Sequence, residues 1–99
     1  MAFYLLLAHD FTDALQAADQ TISLAPAEIW LYTNRAHALM FLGRTNEARM
    51  LYLKYRGEKN VHDGKPWPTV ILEDFTEFRK AGLSNPLMDE IDKEFTSAG

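Results

Sequence analysis

Residues 30–55 read WLYTNRAHALMFLGRTNEARMLYLKY. Turn formers are almost absent from this stretch, yet Gly43 stands in its middle, with small residues at Ala36 and Ala48 and large ones at Leu39 and Tyr52. One long helix with a weak point would give this pattern. So would two helices folded against each other, with small residues where the backbones meet. Self-comparison of the chain favours the second. A shift of 34 residues lays Ala2 on Ala36, Leu5 on Leu39, Asp13 on Glu47 and Ala14 on Ala48. A period of about 34 is a helix–turn–helix repeat length. A further shift of 39 lays Leu39 on Phe78, Gly43 on Gly82, Ala48 on Leu87 and Tyr52 on Ile91. The five extra residues fall in RGEKNVHDGKPWP, the one loop-like segment.

Working outward, the expected helices are Ala2–Ala8, Phe11–Leu24 with Asp10 at its N-cap, and Glu28–Leu42 ending at Gly43. Three more follow: Thr45–Arg56, Pro68–Ala81 ending at Gly82, and one starting at Pro86 behind an Asn85 cap. The apolar run TVIL continues into helical spacing at Ile71, Phe75 and Phe78, so no strand is expected. The expected units are a half repeat at 1–27, a central repeat at 28–59, a loop at 57–67 and a divergent repeat at 68–97.

The chain here resembles the tetratricopeptide repeat family. The resemblance rests on NRAHALMFLGRTNEARMLY, on the Glu47–Ala48 pair, and on Ala14 and Pro26 in the preceding half unit. It implies an all-α fold, with antiparallel helix pairs in a short right-handed solenoid. It also implies that Ala14, Ala36, Leu39, Gly43, Ala48 and Tyr52 form the packing between helices. The third unit departs from the pattern, with Phe75 and Leu87 where small residues belong.

The helix from Glu28 to Leu42 is apolar on nearly all sides, which marks a buried helix. Tyr32, Ala36, Leu39 and Gly43 can face its partner. A second stripe, Trp30, Thr33, His37, Met40 and Phe41, points elsewhere. First helices of repeat pairs line the concave surface, so this stripe is the expected peptide groove, with polar Thr33 and His37 exposed in it. Its aromatic and methionine character suits a helix or an extended apolar peptide. The family's carboxylate clamp finds only Asn34 as a matching residue, and is not carried over.

Composition bounds the function. The chain has 99 residues, a net charge of −4 and no cysteine, which suggests one globular domain without thiolate chemistry. Residues 1–34 hold four acids and no base, residues 35–65 seven bases and three acids, and residues 66–99 three bases and seven acids. An acidic chain with a short basic middle is not expected to bind nucleic acid. MAFYLLLA is not followed by a cleavage site and no apolar run approaches a membrane span, so a cytoplasmic location is expected. His9, His37 and His62 share no metal-ligand spacing, and no serine lies in a nucleophile motif. No catalytic residue, metal or cofactor is expected.

The expected function is a protein-interaction module that binds a peptide or helix. The alternatives are a structural C-terminal cap of a larger repeat protein and, further off, a ligand-binding or enzymatic domain with Arg35 and His37 at a pocket. Phe3, Tyr4, Leu6 and Leu7 crowd the first helix with apolar bulk, which points to a homodimer or to a covering neighbour there.

Overall fold

The computed structural model describes residues 2–96. Positions 1 and 97, the outer ends of the first and last expected units, lie outside the described residues. Six helices follow in order: α1 Ala2–Leu7, α2 Phe11–Leu24, α3 Leu31–Phe41, α4 Thr45–Lys54, α5 Trp67–Lys80 and α6 Pro86–Thr96. Among the described residues there is no strand, only an isolated bridge between His62 and Lys65.

Three turns join the helices in pairs, and all three are built alike. Gly43 has φ 84° and Gly82 has φ 83°. Each turn closes with two hydrogen bonds onto the end of the helix before it. The Gly43 and Arg44 amides donate to the Met40 and Leu39 carbonyls, and the Gly82 and Leu83 amides to those of Arg79 and Phe78. This left-handed cap satisfies carbonyls that a helix end leaves open. His9 occupies the same place between α1 and α2, with φ 64° and the same two bonds, from His9 to Leu6 and from Asp10 to Leu5.

A histidine in that conformation costs about 1–2 kcal/mol, whereas glycine gives back about 0.5–1 kcal/mol in chain entropy. Replacing His9 with glycine should therefore stabilise the protein by about 0.5–1 kcal/mol. The thermal midpoint should rise by a few degrees in a scan of this chain. An unchanged or lower midpoint would mean that the His9 ring, 6.0 Å from that of Phe11, contributes more than its backbone costs.

α3 lies at the centre, packed against α2 on one side and α4 on the other, with α1 on α2 and partly on α3, and α6 against α4 and α5. Ala14 and Ala18 of α2, Ala36, Ala38 and Leu39 of α3, and Ala48 and Tyr52 of α4 are buried. The small side chains sit where these helices pack, and α3 is enclosed on most of its circumference. α5 comes over α3 with larger side chains: Phe75 and Phe78 both face the His37 ring. Phe78 also meets Phe41 edge-on at 5.2 Å and Phe3 of α1 in a stack at 5.3 Å. The first and last helix pairs thus touch across the middle one. A radius of gyration of 12.4 Å matches the roughly 12.6 Å of a compact domain of this length.

Several boundaries differ from the sequence reading. α3 starts at Leu31 because residues 28–33 run through tight turns, with Leu31, Tyr32 and Thr33 each bonded to a carbonyl three residues back. Asp10 stands at the α2 N-cap without a side-chain bond, while the Asn85 carbonyl oxygen does accept from the Leu87 amide at 2.9 Å. Trp67 belongs to α5, not to the loop, and is fully buried. The loop turns at Asp63 and Gly64, both at positive φ, the geometry that Asp-Gly adopts in tight hairpins.

Arg49 of α4 ties α6 through both guanidinium nitrogens to Glu90, one contact at 2.9 Å. The Arg49 hydrogen bond holds the Glu90 carboxyl below its ordinary value of 4.5. A lowered folded-state value stabilises the fold above the ordinary value and loses that contribution as pH falls through the folded one. The pair is exposed, so its effect is small. The melting midpoint of Glu90→Gln should lie below that of the parent chain at neutral pH, and the two should converge as pH falls through the lowered Glu90 value. Parallel curves down to strong acid would dismiss the tether.

Candidate functional site

Thr33 fixes the entry to α3 by donating from its hydroxyl to the Trp30 carbonyl at 2.7 Å. That turn leaves Trp30 partly exposed, at 38%, just before the helix. Val70 and Asp74 follow one another by one turn on α5, so they share a face. Between the two helices lies a recess of about 170 Å3. Trp30, Thr33 and Asn34 form one wall, Val70 and Asp74 the opposite one, and Phe3 and His62 the remaining sides. The His62 ring, carried by the connecting loop, lies 5.5 Å from Trp30 at 41°.

The carboxylate of Asp74 is anchored from below. Its Oδ2 lies 2.9 Å from His37 Nε2, and His37 Nδ1 lies 2.6 Å from the Tyr52 hydroxyl. Both ring systems are fully buried, while the Asp74 side chain retains 21% exposure. Burial, with a contribution from the Asp74 charge, holds the Tyr52 phenol well above its ordinary value of 10. The phenol therefore keeps its proton, with His37 Nδ1 and the Met40 sulfur, at 3.8 Å, both in reach of its hydroxyl. On the other side of the ring Nε2 donates to the Asp74 carboxylate, which can only accept. Such a chain of bonds orients a carboxylate. Both nitrogens of the His37 ring are engaged within the core, and the Asp74 carboxylate is the part of the chain that reaches the recess.

The structure corrects the groove expected along the second stripe of α3. His37, Thr33 and Met40 are buried, not exposed in a groove. Phe41 is sandwiched, stacked on Phe11 at 4.9 Å and edge-on to Phe78. The reason is that α1 and α5 close over the face that an open stack would present. Of the expected groove residues, Trp30 and Thr33 of the stripe and the neighbouring Asn34 line this recess. Arg35 is drawn away from His37 to Asp19 on α2, at 2.8 Å.

The self-association expectation is corrected in part by the same closure. Leu6 is fully buried in the chain's own core, and Phe3 and Leu7 pack against that core. Tyr4 alone of the four is strongly exposed, at 69%.

Sequence reasoning missed Asp74, Val70 and His62. A histidine on an apolar helix needs a polar partner, but the partner is 37 residues away, and nothing local marks it. Neighbouring acids are engaged elsewhere: Glu73 with Lys65 at 3.1 Å, and Glu77 with Lys80 at 3.4 Å. Among the described residues no cluster of histidines and acids has metal-binding geometry, and no helix is long and apolar enough to cross a membrane.

Comparison with protein-family models, with curated proteins and with solved structures returned no match.

Proposed function

We propose that the chain is a protein-interaction module, a short tetratricopeptide-like right-handed stack of three helix pairs, that receives a segment of a partner protein at the Trp30–Asp74 recess. The observation that carries this reading is a partly exposed tryptophan beside a carboxylate that a buried histidine and tyrosine hold in place. Tryptophan at a concave site is a frequent anchor of interfaces. The repeat character draws support from three turns of one geometry at His9, Gly43 and Gly82, spaced by the 34 and 39 residues of the sequence repeat. Binding suits a site in which the His37 imidazole is sealed in the core and serves to hold the Asp74 carboxylate in place. The proposed location is the cytoplasm.

A peptide library displayed on phage and panned against the isotope-labelled chain's unlabelled twin tests the proposal. Selected peptides should shift the Trp30 indole and Asn34 side-chain amide resonances. A library that yields no binder, or binders that shift only residues around exposed Leu24 and Met50 on the far side, would overturn the assignment of the site. A second reading, a capping unit of a longer repeat array, is favoured by exposed Tyr4 at one end and by the charged outer residues Asp89, Glu90 and Glu94 of α6 at the other.

A further inference from the structure

The recess has a chemistry that narrows its occupant. At about 170 Å3 it is smaller than the roughly 300–1,000 Å3 of small-molecule sites, so it suits one side chain. Its walls are aromatic, apolar or amide, apart from the Asp74 carboxylate, the His62 ring and Thr33, whose hydroxyl is spent on the Trp30 carbonyl. Lys65, three residues after His62, is bonded to Glu73 at 3.1 Å. Among the described residues no arginine or lysine lines the recess. The site therefore presents a negative charge beside aromatic faces, and such a setting attracts a cation both by charge and through the ring of a tryptophan.

The anchoring of Asp74 discriminates between cations. Oδ2 is already held by His37, and no hydrogen bond to Oδ1 is recorded among the described residues. One free oxygen does not match the two parallel bonds of a guanidinium fork, but it does match a compact ammonium. A long methylene stem would lie along Trp30, Val70 and Phe3, as lysine stems do on apolar surface. The Asn34 side chain on the opposite wall offers a carbonyl oxygen as a second acceptor.

We propose that the recess binds a lysine side chain of the partner protein, its ammonium at Asp74 and its stem against Trp30. The inference rests on reading the recess as the partner-binding site. Three blocked tripeptides, with lysine, norleucine or arginine between two alanines, serve as probes. They are titrated into the isotope-labelled chain, and Kd is read from the Trp30 indole and Asn34 amide shifts. The lysine peptide should bind at least tenfold more tightly than norleucine, which has the same stem without the charge, and several-fold more tightly than arginine. Asp74→Asn, which still accepts from His37, should abolish the preference for lysine over norleucine while leaving the melting midpoint close to the parent's. Equal binding of norleucine would overturn the lysine assignment and leave the recess as an apolar docking site. Equal or tighter binding of arginine would overturn the selectivity for an ammonium. Binding of none of the three overturns the inference, whereas the wider reading stands or falls on the library selection. Should Asp74→Asn fail to fold, the ranking of the three peptides on the parent chain decides alone.

Discussion

Replacing Trp67 with alanine should destabilise the protein by about 3–5 kcal/mol, the range for truncating a buried tryptophan. Trp67 is fully enclosed, with its ring centroid 5.2 Å from that of Tyr55. Its indole N–H donates to the Tyr52 carbonyl at 2.8 Å. Tyr52 lies in the last turn of α4, where carbonyls have no partner within the helix. The Trp67 backbone amide donates to the Glu58 carbonyl at 2.9 Å and so closes the loop that leads into α5. Alanine would keep that backbone bond but leave a cavity and an unpaired buried carbonyl. A small domain has about 5–15 kcal/mol in all, so the variant should be close to unfolding in water at room temperature. Urea titration followed by far-UV circular dichroism checks this. Trp67→Phe should cost much less, because it keeps most of the ring and forfeits the hydrogen bond. A loss below about 1 kcal/mol for the alanine variant would contradict the packing described.

Replacing His37 with leucine should cost roughly 2–4 kcal/mol, although leucine nearly fills the space. The loss comes from groups left behind. The buried Tyr52 hydroxyl would retain only the Met40 sulfur at 3.8 Å, and Asp74 would lose its donor. A buried polar group without a partner costs about 1–3 kcal/mol, and the partly solvated Asp74 counts toward the lower end. This account carries its own control. Tyr52→Phe in the His37→Leu background should recover part of the loss, because no buried hydroxyl is then stranded. Additive losses in a double-mutant cycle by chemical denaturation would show that the two side chains act independently.

These two residues also mark where the sequence is legible and where it is not. The paired helices, the turns at Gly43 and Gly82 and the Asn85–Pro86 helix start are written in local spacing, because backbone conformation and capping act within a few residues. Trp67 lies in a segment rich in turn formers, KPWP, so the sequence places it in the loop and starts the helix at Pro68. Pro68 does stand in the first turn of α5, where a missing amide proton costs nothing, but the helix opens one residue earlier. The Asp63–Gly64 turn carried a hairpin signature within the same segment. The second stripe of α3 was legible as apolar, but an apolar face does not announce what covers it. That depended on Phe3 and Phe78, 75 positions apart in the chain. Asp74 had no local mark at all, since its role follows from a histidine on another helix.

The contact between Phe3 and Phe78 bears on how the protein comes apart. In a linear array each unit leans only on its neighbours, so an end can fray while the middle persists. Here the two outer pairs also share an aromatic seam through Phe3 and Phe78, so each of the three hairpins touches both others. Loosening any one of them deprives both others of a partner. Amide exchange from the slowest protons should accordingly report one global opening shared by α2, α3 and α5, instead of a gradient running inward from the ends.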